Sequence, residues 1–224
     1  SKGWHLQTIK APGAWDHAVG DGVTIAILDS GVEPNHPDLA PQFVPGWNFY
    51  DYNSNTADVT GHGTQVAGVA AAAGNNATGV AAINWRAKLM PIRITDTSGY
   101  AYSSTIAQGI TWAADHGARV VNLSFGHVST VSAAIKAAEY MRSKGGVVVV
   151  SAGNSGALES DPPSAVLTTV AATDYADGKA DFSSYGDYVD VGAPGISIQT
   201  TKPGATYGGC SGTSAASPVV AGVY

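Results

Sequence analysis

Three residues carry side chains able to do chemistry together: an acid, an imidazole and an alcohol, each set in a short glycine-containing segment. Asp29 ends the apolar run in "AILDSGVEPNHPDL", His62 stands between two glycines in "TGHGTQVAGVAAAAG", and Ser214 opens the small-residue stretch in "CSGTSAASPVVAGVY". Each has a commoner explanation by itself. An Asp beside Ser-Gly is ordinary turn chemistry, a His at a helix start satisfies its own hydrogen bonds, and a Ser at a helix start is most often an N-cap. Taken jointly they mean more. An alcohol becomes a nucleophile when a base takes its proton, and the base works when a carboxylate orients it.

These side chains need elements to hold them. Short β-branched runs at 23–28, 88–94, 119–124, 146–152 and 167–172 read as buried parallel strands. Between them, Ala-rich stretches beginning at His62, at Ser103 and at Ser129 read as helices, each ending near glycine. The alternation predicts an α/β fold of three layers, a mostly parallel central sheet with helices on both faces. Ligands of such sheets bind beyond the carboxyl ends of the strands, where Asp29 is expected.

With 44% hydrophobic and 12% charged residues among 224, the chain suits one compact unit, and its 28 glycines and 11 prolines are too scattered to form a linker. A net charge of −6 with 11 Lys plus Arg argues against nucleic acid or an anionic membrane as partner. No run is long enough for a membrane span, and the start "SKGWHLQTIK" lacks a signal-peptide core, so a mature, processed form is expected. A single cysteine, Cys210, excludes an internal disulfide.

The segments "DSG", "GHGT" and "GTSAASP", in the order Asp, His, Ser, resemble the three signatures of the subtilase family, with "GWNFYDYNS", "NNATGVA" and "SSYGDYVDVGAPG" nearest its thermitase-like branch. The resemblance covers the chain from about "IKAPGAW" to the end. It implies a subtilisin-like catalytic domain over 1–224 and a secreted, monomeric serine endopeptidase. Ser214 would attack the scissile carbonyl, His62 would act as general base and then acid, and Asp29 would hold the imidazole. Asn154 of "SAGNSG" matches the family's oxyanion asparagine, with the Ser214 N–H as second donor; without the resemblance it reads as an Asx turn. Gly99, Tyr100 and Ala101 on one side, and Ser124, Phe125 and Gly126 on the other, would hold a peptide as an added strand. Ser151, Ala152 and Gly153 would wall an S1 pocket suited to large apolar residues within a broad specificity. Protein and peptide substrates, and propeptide or peptide inhibitors, are the partners implied.

The family also implies structural calcium, held by Asp38, Asn76 and the carbonyls of Gly74, Thr78 and Val80; separately, the loop "DYNSNTAD" groups Asp51, Asn53 and Asp58 as a weaker second site. Several positions depart from the pattern. Ala215 stands where many members have methionine, and Gln65 where the signature has a second histidine. The helix opened by Ser214 stops at Tyr224, where members continue with further structure, so a C-terminal part is expected to be missing. Cys210 matches a position on the leaving-group side of the cleft, where its thiol would be reachable. Two other classes are weaker: a non-catalytic binding module, which would have lost a triad residue, and a nucleotide-binding α/β enzyme, whose glycine loop should follow the first strand, whereas "GDG" precedes it.

Overall fold

The computed structural model describes residues 3–224. Two short helices, α1 (Trp4–Thr8) and α2 (Ala11–Ala14), lead into β1 (Thr24–Asp29). There follow β2 (Trp47–Asn48), α3 (His62–Ala71), β3 (Lys88–Arg93), α4 (Ser103–Asp115), β4 (Val120–Leu123), α5 (Ser132–Ser143) and β5 (Val147–Ser151). The chain continues through β6 (Thr168–Thr173), β7 (Val191–Pro194), β8 (Ile198–Lys202), β9 (Thr206–Cys210) and α6 (Thr213–Val223). The five strands expected from β-branched runs are β1, β3, β4, β5 and β6. The sequence signal misses β2, β7 and the β8–β9 hairpin, because they are short or rich in Gly, Thr and Pro. The third helix is shorter than its composition suggests: a 3₁₀ turn at Val128–Thr130 precedes it.

Seven strands form one parallel sheet in the order β2-β3-β1-β4-β5-β6-β7. Successive side chains of a strand face opposite ways, and the two cores follow that rule. Ile25 and Ile27 of β1 pack with Val66, Ala70, Ala216 and Val219 of α3 and α6, whereas Ala26 and Leu28 pack with Ile106, Ile110 and Met141 of α4 and α5. Asp29 has the parity of Ile25 and Ile27. It therefore emerges on the α3/α6 side, at the carboxyl end of the strand where the chain order reverses, β3 lying on one side and β4 on the other.

Leu28 is fully buried under α4, where Gly109 packs closely on its side chain. Leu28→Ala is expected to cost about 2–5 kcal/mol, read as a shift of the denaturant midpoint with unchanged slope.

Candidate active site

Asp29 is 2% exposed, and a buried carboxylate is tolerated only when its oxygens are satisfied. His62 Nδ1 lies 2.8 and 2.9 Å from its two oxygens, and the Ser30 N–H donates to Oδ1 at 2.7 Å. With Nδ1–H donating to Asp29, Nε2 is left as the basic nitrogen. Burial pulls the His62 pKa down, but the Asp29 charge and hydrogen bond, with a further contribution from Asp58, outweigh it and hold the pKa above its usual value. The approach of α3 to β1 depends on Gly63, since a methyl there would overlap the Gly31 carbonyl oxygen and press on the Asp29 Cβ.

Ser214 is the second residue of α6; the N-cap is Gly212, whose φ of 141° disfavours any side chain. The N-cap reading of Ser214 is thus corrected. The N-cap residue has no side chain to cap this helix, and among the described residues the first-turn N–H of Ser214 makes no hydrogen bond. Four residues on, Pro218 has no N–H for the Ser214 carbonyl. Ser124 Oγ donates to that carbonyl instead, at 3.2 Å. Ser124 belongs to a buried set in which Asn122 Nδ2 donates to Ser124 Oγ and Ser217 Oγ donates to Asn122 Oδ1, at 2.9 and 3.0 Å. Sequence reasoning passed over Asn122 and Ser217, although an amide inside an apolar strand was the available signal. Among the described residues the Ser214 hydroxyl makes a single, long bond, 3.5 Å, to the Ser124 carbonyl.

Asn154 does not close a local Asx turn. Its Oδ1 accepts the Thr213 N–H and Oγ–H at 2.9 and 3.0 Å, which ties it to the first residue of α6 and fixes which end of the amide is the donor. His62 borders two hollows. One, about 320 Å³, is lined by Asp29, His62, Gly99, Ser124 and Phe125; the other, about 290 Å³, by His62, Gln65, Cys210 and Ser214. Tyr100 is exposed and set edge-on against Tyr102, while Ala101 bridges Thr95. Ser151 and Ala152 are buried, and Gly153 faces Gly126 so closely that a methyl on Gly126 would sit 3.3 Å from its Cα. Burial pushes the Cys210 thiol up to about 12, so it stays protonated at neutral pH although it lines the second hollow. A larger hollow of about 570 Å³ between α4 and α5 is mostly apolar and contains none of these residues.

Asp38 is fully buried, accepting from Asn76 Nδ2 and the Val80 N–H at 2.9 Å each. The second acidic group is split by the fold. Asp51 pairs with Arg93 at 2.7 Å, whereas the Asp58 carboxylate turns to the start of α3. Among the described residues no three His, Cys, Asp or Glu side chains converge as a metal cluster, and no helix is long and apolar enough to cross a membrane.

An acid and an imidazole in contact at the carboxyl end of a strand of a parallel sheet, with an alcohol on a hollow that the imidazole also lines, are the groups that a serine hydrolase uses. The subtilase family matches residues 20–224, and the chain belongs to that family of serine endopeptidases. It is 47% identical to thermitase of Thermoactinomyces vulgaris over 225 residues, all of this chain and 81% of that protein. To subtilisin Savinase of Lederbergia lenta it is 40% identical, covering 98% of this chain and 81% of the relative. It spans only 53% of a thermophilic serine proteinase of Bacillus sp. strain AK1, at 43% identity. Among solved structures, a protease of Pseudoalteromonas arctica superposes with a TM-score of 0.88 at 31% identity, covering 99% of this chain and 83% of the other.

Gly63→Ala is expected to force α3 away from β1 and lower kcat/KM by at least about 100-fold, since misplacement by an ångström costs that much. Steady-state kinetics on a folded sample, its fold checked by circular dichroism, gives the test.

Proposed function

We propose that the chain hydrolyses peptide bonds through an acyl-enzyme, with Ser214 as nucleophile, His62 as general base and acid, and Asp29 as the group that orients His62. The observation that carries this reading is the Asp29–His62 contact at 2.8 Å, beside a hollow that His62 shares with Ser214. Ser214 Oγ adds to the scissile carbonyl as His62 Nε2 takes its proton; the tetrahedral intermediate collapses as that proton passes to the leaving amine, and water repeats the sequence on the ester. The Asn154 amide and the Ser214 N–H would receive the oxyanion, the Asn154 amide being pre-set by Thr213. The Gly99–Ala101 and Ser124–Gly126 segments would grip substrate backbone. The small residues Gly126, Ala152 and Gly153 would wall an S1 pocket for large apolar side chains within a broad range of sequences. Propeptide-like or peptide inhibitors would occupy the same cleft, and a secreted monomer is the form in which we expect it to act.

Ser214→Ala is expected to abolish hydrolysis while peptide inhibitors still bind, and a fluorophosphonate should label the parent chain at Ser214 alone. Turnover by Ser214→Ala at the parent rate would overturn the assignment. Asn154→Ala should lose on the order of 10²–10³ in kcat, the loss characteristic of such a donor in subtilisin. Because neutral His62 is the base and its carboxylate neighbours favour imidazolium, kcat/KM should rise with pH through a value above the ordinary 6.5 and stay high in mild alkali.

We also infer a calcium ion at Asp38. This carboxylate is buried with no salt bridge among the described residues. The Tyr207 hydroxyl beside it is buried, its pKa raised by burial and then by the Asp38 charge and hydrogen bonding to that carboxylate. A hard cation would offset that charge, held by Asp38, the Asn76 side-chain oxygen and the carbonyls of Gly74, Thr78 and Val80. Asn76 turns its Nδ2 to Asp38 and its Oδ1 to the Thr78 N–H, so binding requires that amide to rotate. Bound calcium would stabilise the fold by mass action. Chelation should lower Tm and speed autolysis; identical melting curves in calcium and chelator, with no ion by elemental analysis, would refute the site.

A further inference from the structure

The Asp58 carboxylate is the most heavily used polar group near the cleft, and none of the steps above assigns it a part. Its Oδ1 accepts the Ser30 hydroxyl at 2.7 Å, the Gly61 N–H at 2.7 Å and the Thr60 N–H at 3.1 Å. Its Oδ2 accepts both the N–H and the hydroxyl of Thr64. Two of its partners reach further. Ser30 gives its N–H to Asp29 Oδ1 and accepts the Gly63 N–H at 3.1 Å, and Thr64 Oγ accepts the Glu33 N–H at 2.9 Å. Asp58 thus fastens the turn that carries Asp29 to the first turn of the helix that begins with His62. All its partners are neutral donors; it forms no salt bridge among the described residues. Its full negative charge therefore faces a helix start, where anions are favoured.

We propose that Asp58 is a positioning residue for the Asp29–His62 pair: a second carboxylate that sets the imidazole against Asp29 through Ser30 and the first-turn amides of α3, and adds negative charge near the ring. This rests on Asp29, His62 and Ser214 being the catalytic groups. The Asp58 charge joins the larger effect of Asp29 in favouring imidazolium, against the opposite effect of burial. Other titratable groups around the cleft do not supply this charge. Cys210 on β9 stays a thiol, and Lys202 on β8, close enough to that thiol to ease its ionisation, is a cation. Asp96, on the loop that carries Gly99, is engaged by Ser98 and the Tyr100 N–H.

The test compares Asp58→Asn and Asp58→Glu with the parent full chain, using peptide kinetics and the rate of fluorophosphonate labelling of Ser214 across pH. In Asp58→Asn, kcat is expected to fall about 10- to 100-fold with KM within about two-fold, and the acid limb to move to lower pH because an anion near the imidazole is gone. In Asp58→Glu the charge remains while the geometry is disturbed, so kcat falls and the acid limb stays at the parent position. Should Asp58→Asn fail to fold, Asp58→Ser, which keeps a small acceptor at the helix start, carries the same two expectations. Parent-like kcat, or a loss of activity with an unmoved acid limb in the uncharged variant, overturns the proposal. Failure of the underlying assignment looks different: the parent chain itself would not be labelled at Ser214.

Discussion

A carboxylate at the carboxyl end of a buried central strand can persist only if donors converge on it, and much of this molecule is arranged to bring donors to Asp29. The parity of β1 turns the side chain to the α3/α6 side. Gly63 lets the first turn of α3 come close enough for His62 Nδ1 to reach both carboxylate oxygens, and Ser30 supplies a third contact from the turn itself. The same contacts that satisfy the buried charge fix the tautomer of the imidazole. Satisfying the buried charge and orienting the imidazole are one requirement.

The start of α6 meets a second requirement by different means. Its entry is a glycine with positive φ and no side chain to cap it, and Pro218 removes a hydrogen bond from its first turn. These features cost helix stability. They leave the Thr213 N–H to be taken by Asn154 and free the Ser214 carbonyl to be anchored by Ser124. Two small polar networks, the buried Asn122–Ser124–Ser217 under α6 and the partly buried Ser30–Asp58–Thr64 at the start of α3, hold the two helix starts that carry the alcohol and the imidazole. Each network joins a helix to a strand end, so the relative placement of Ser214, His62 and Asp29 is set by short polar contacts laid over the apolar packing.

The sheet strands with long β-branched runs, the helices between them and the three short motifs were legible because each depends on local order. Period, composition and glycine spacing report on a few neighbouring residues. The strands β2, β7, β8 and β9 were not, since a strand of two to five residues rich in Gly, Thr or Pro exists by virtue of its partner. For the same reason the sequence suggested grouping Asp51, Asn53 and Asp58 by their spacing, while the fold sends Asp51 to Arg93 and Asp58 to α3.

What the sequence by itself determined is the chemistry available: an acid, an imidazole and an alcohol in family order, an amide after a buried strand, and the residues of an α/β sheet. Tertiary structure alone decided that Asn154 bonds across 59 positions to Thr213, that Ser214 lies inside its helix and not at its cap, and that Asp58 ties Asp29 to His62. The physical reason is range. A side chain's chemical character is carried with the residue, whereas the direction of its hydrogen bonds is settled only when distant segments pack and every buried polar atom must find a partner.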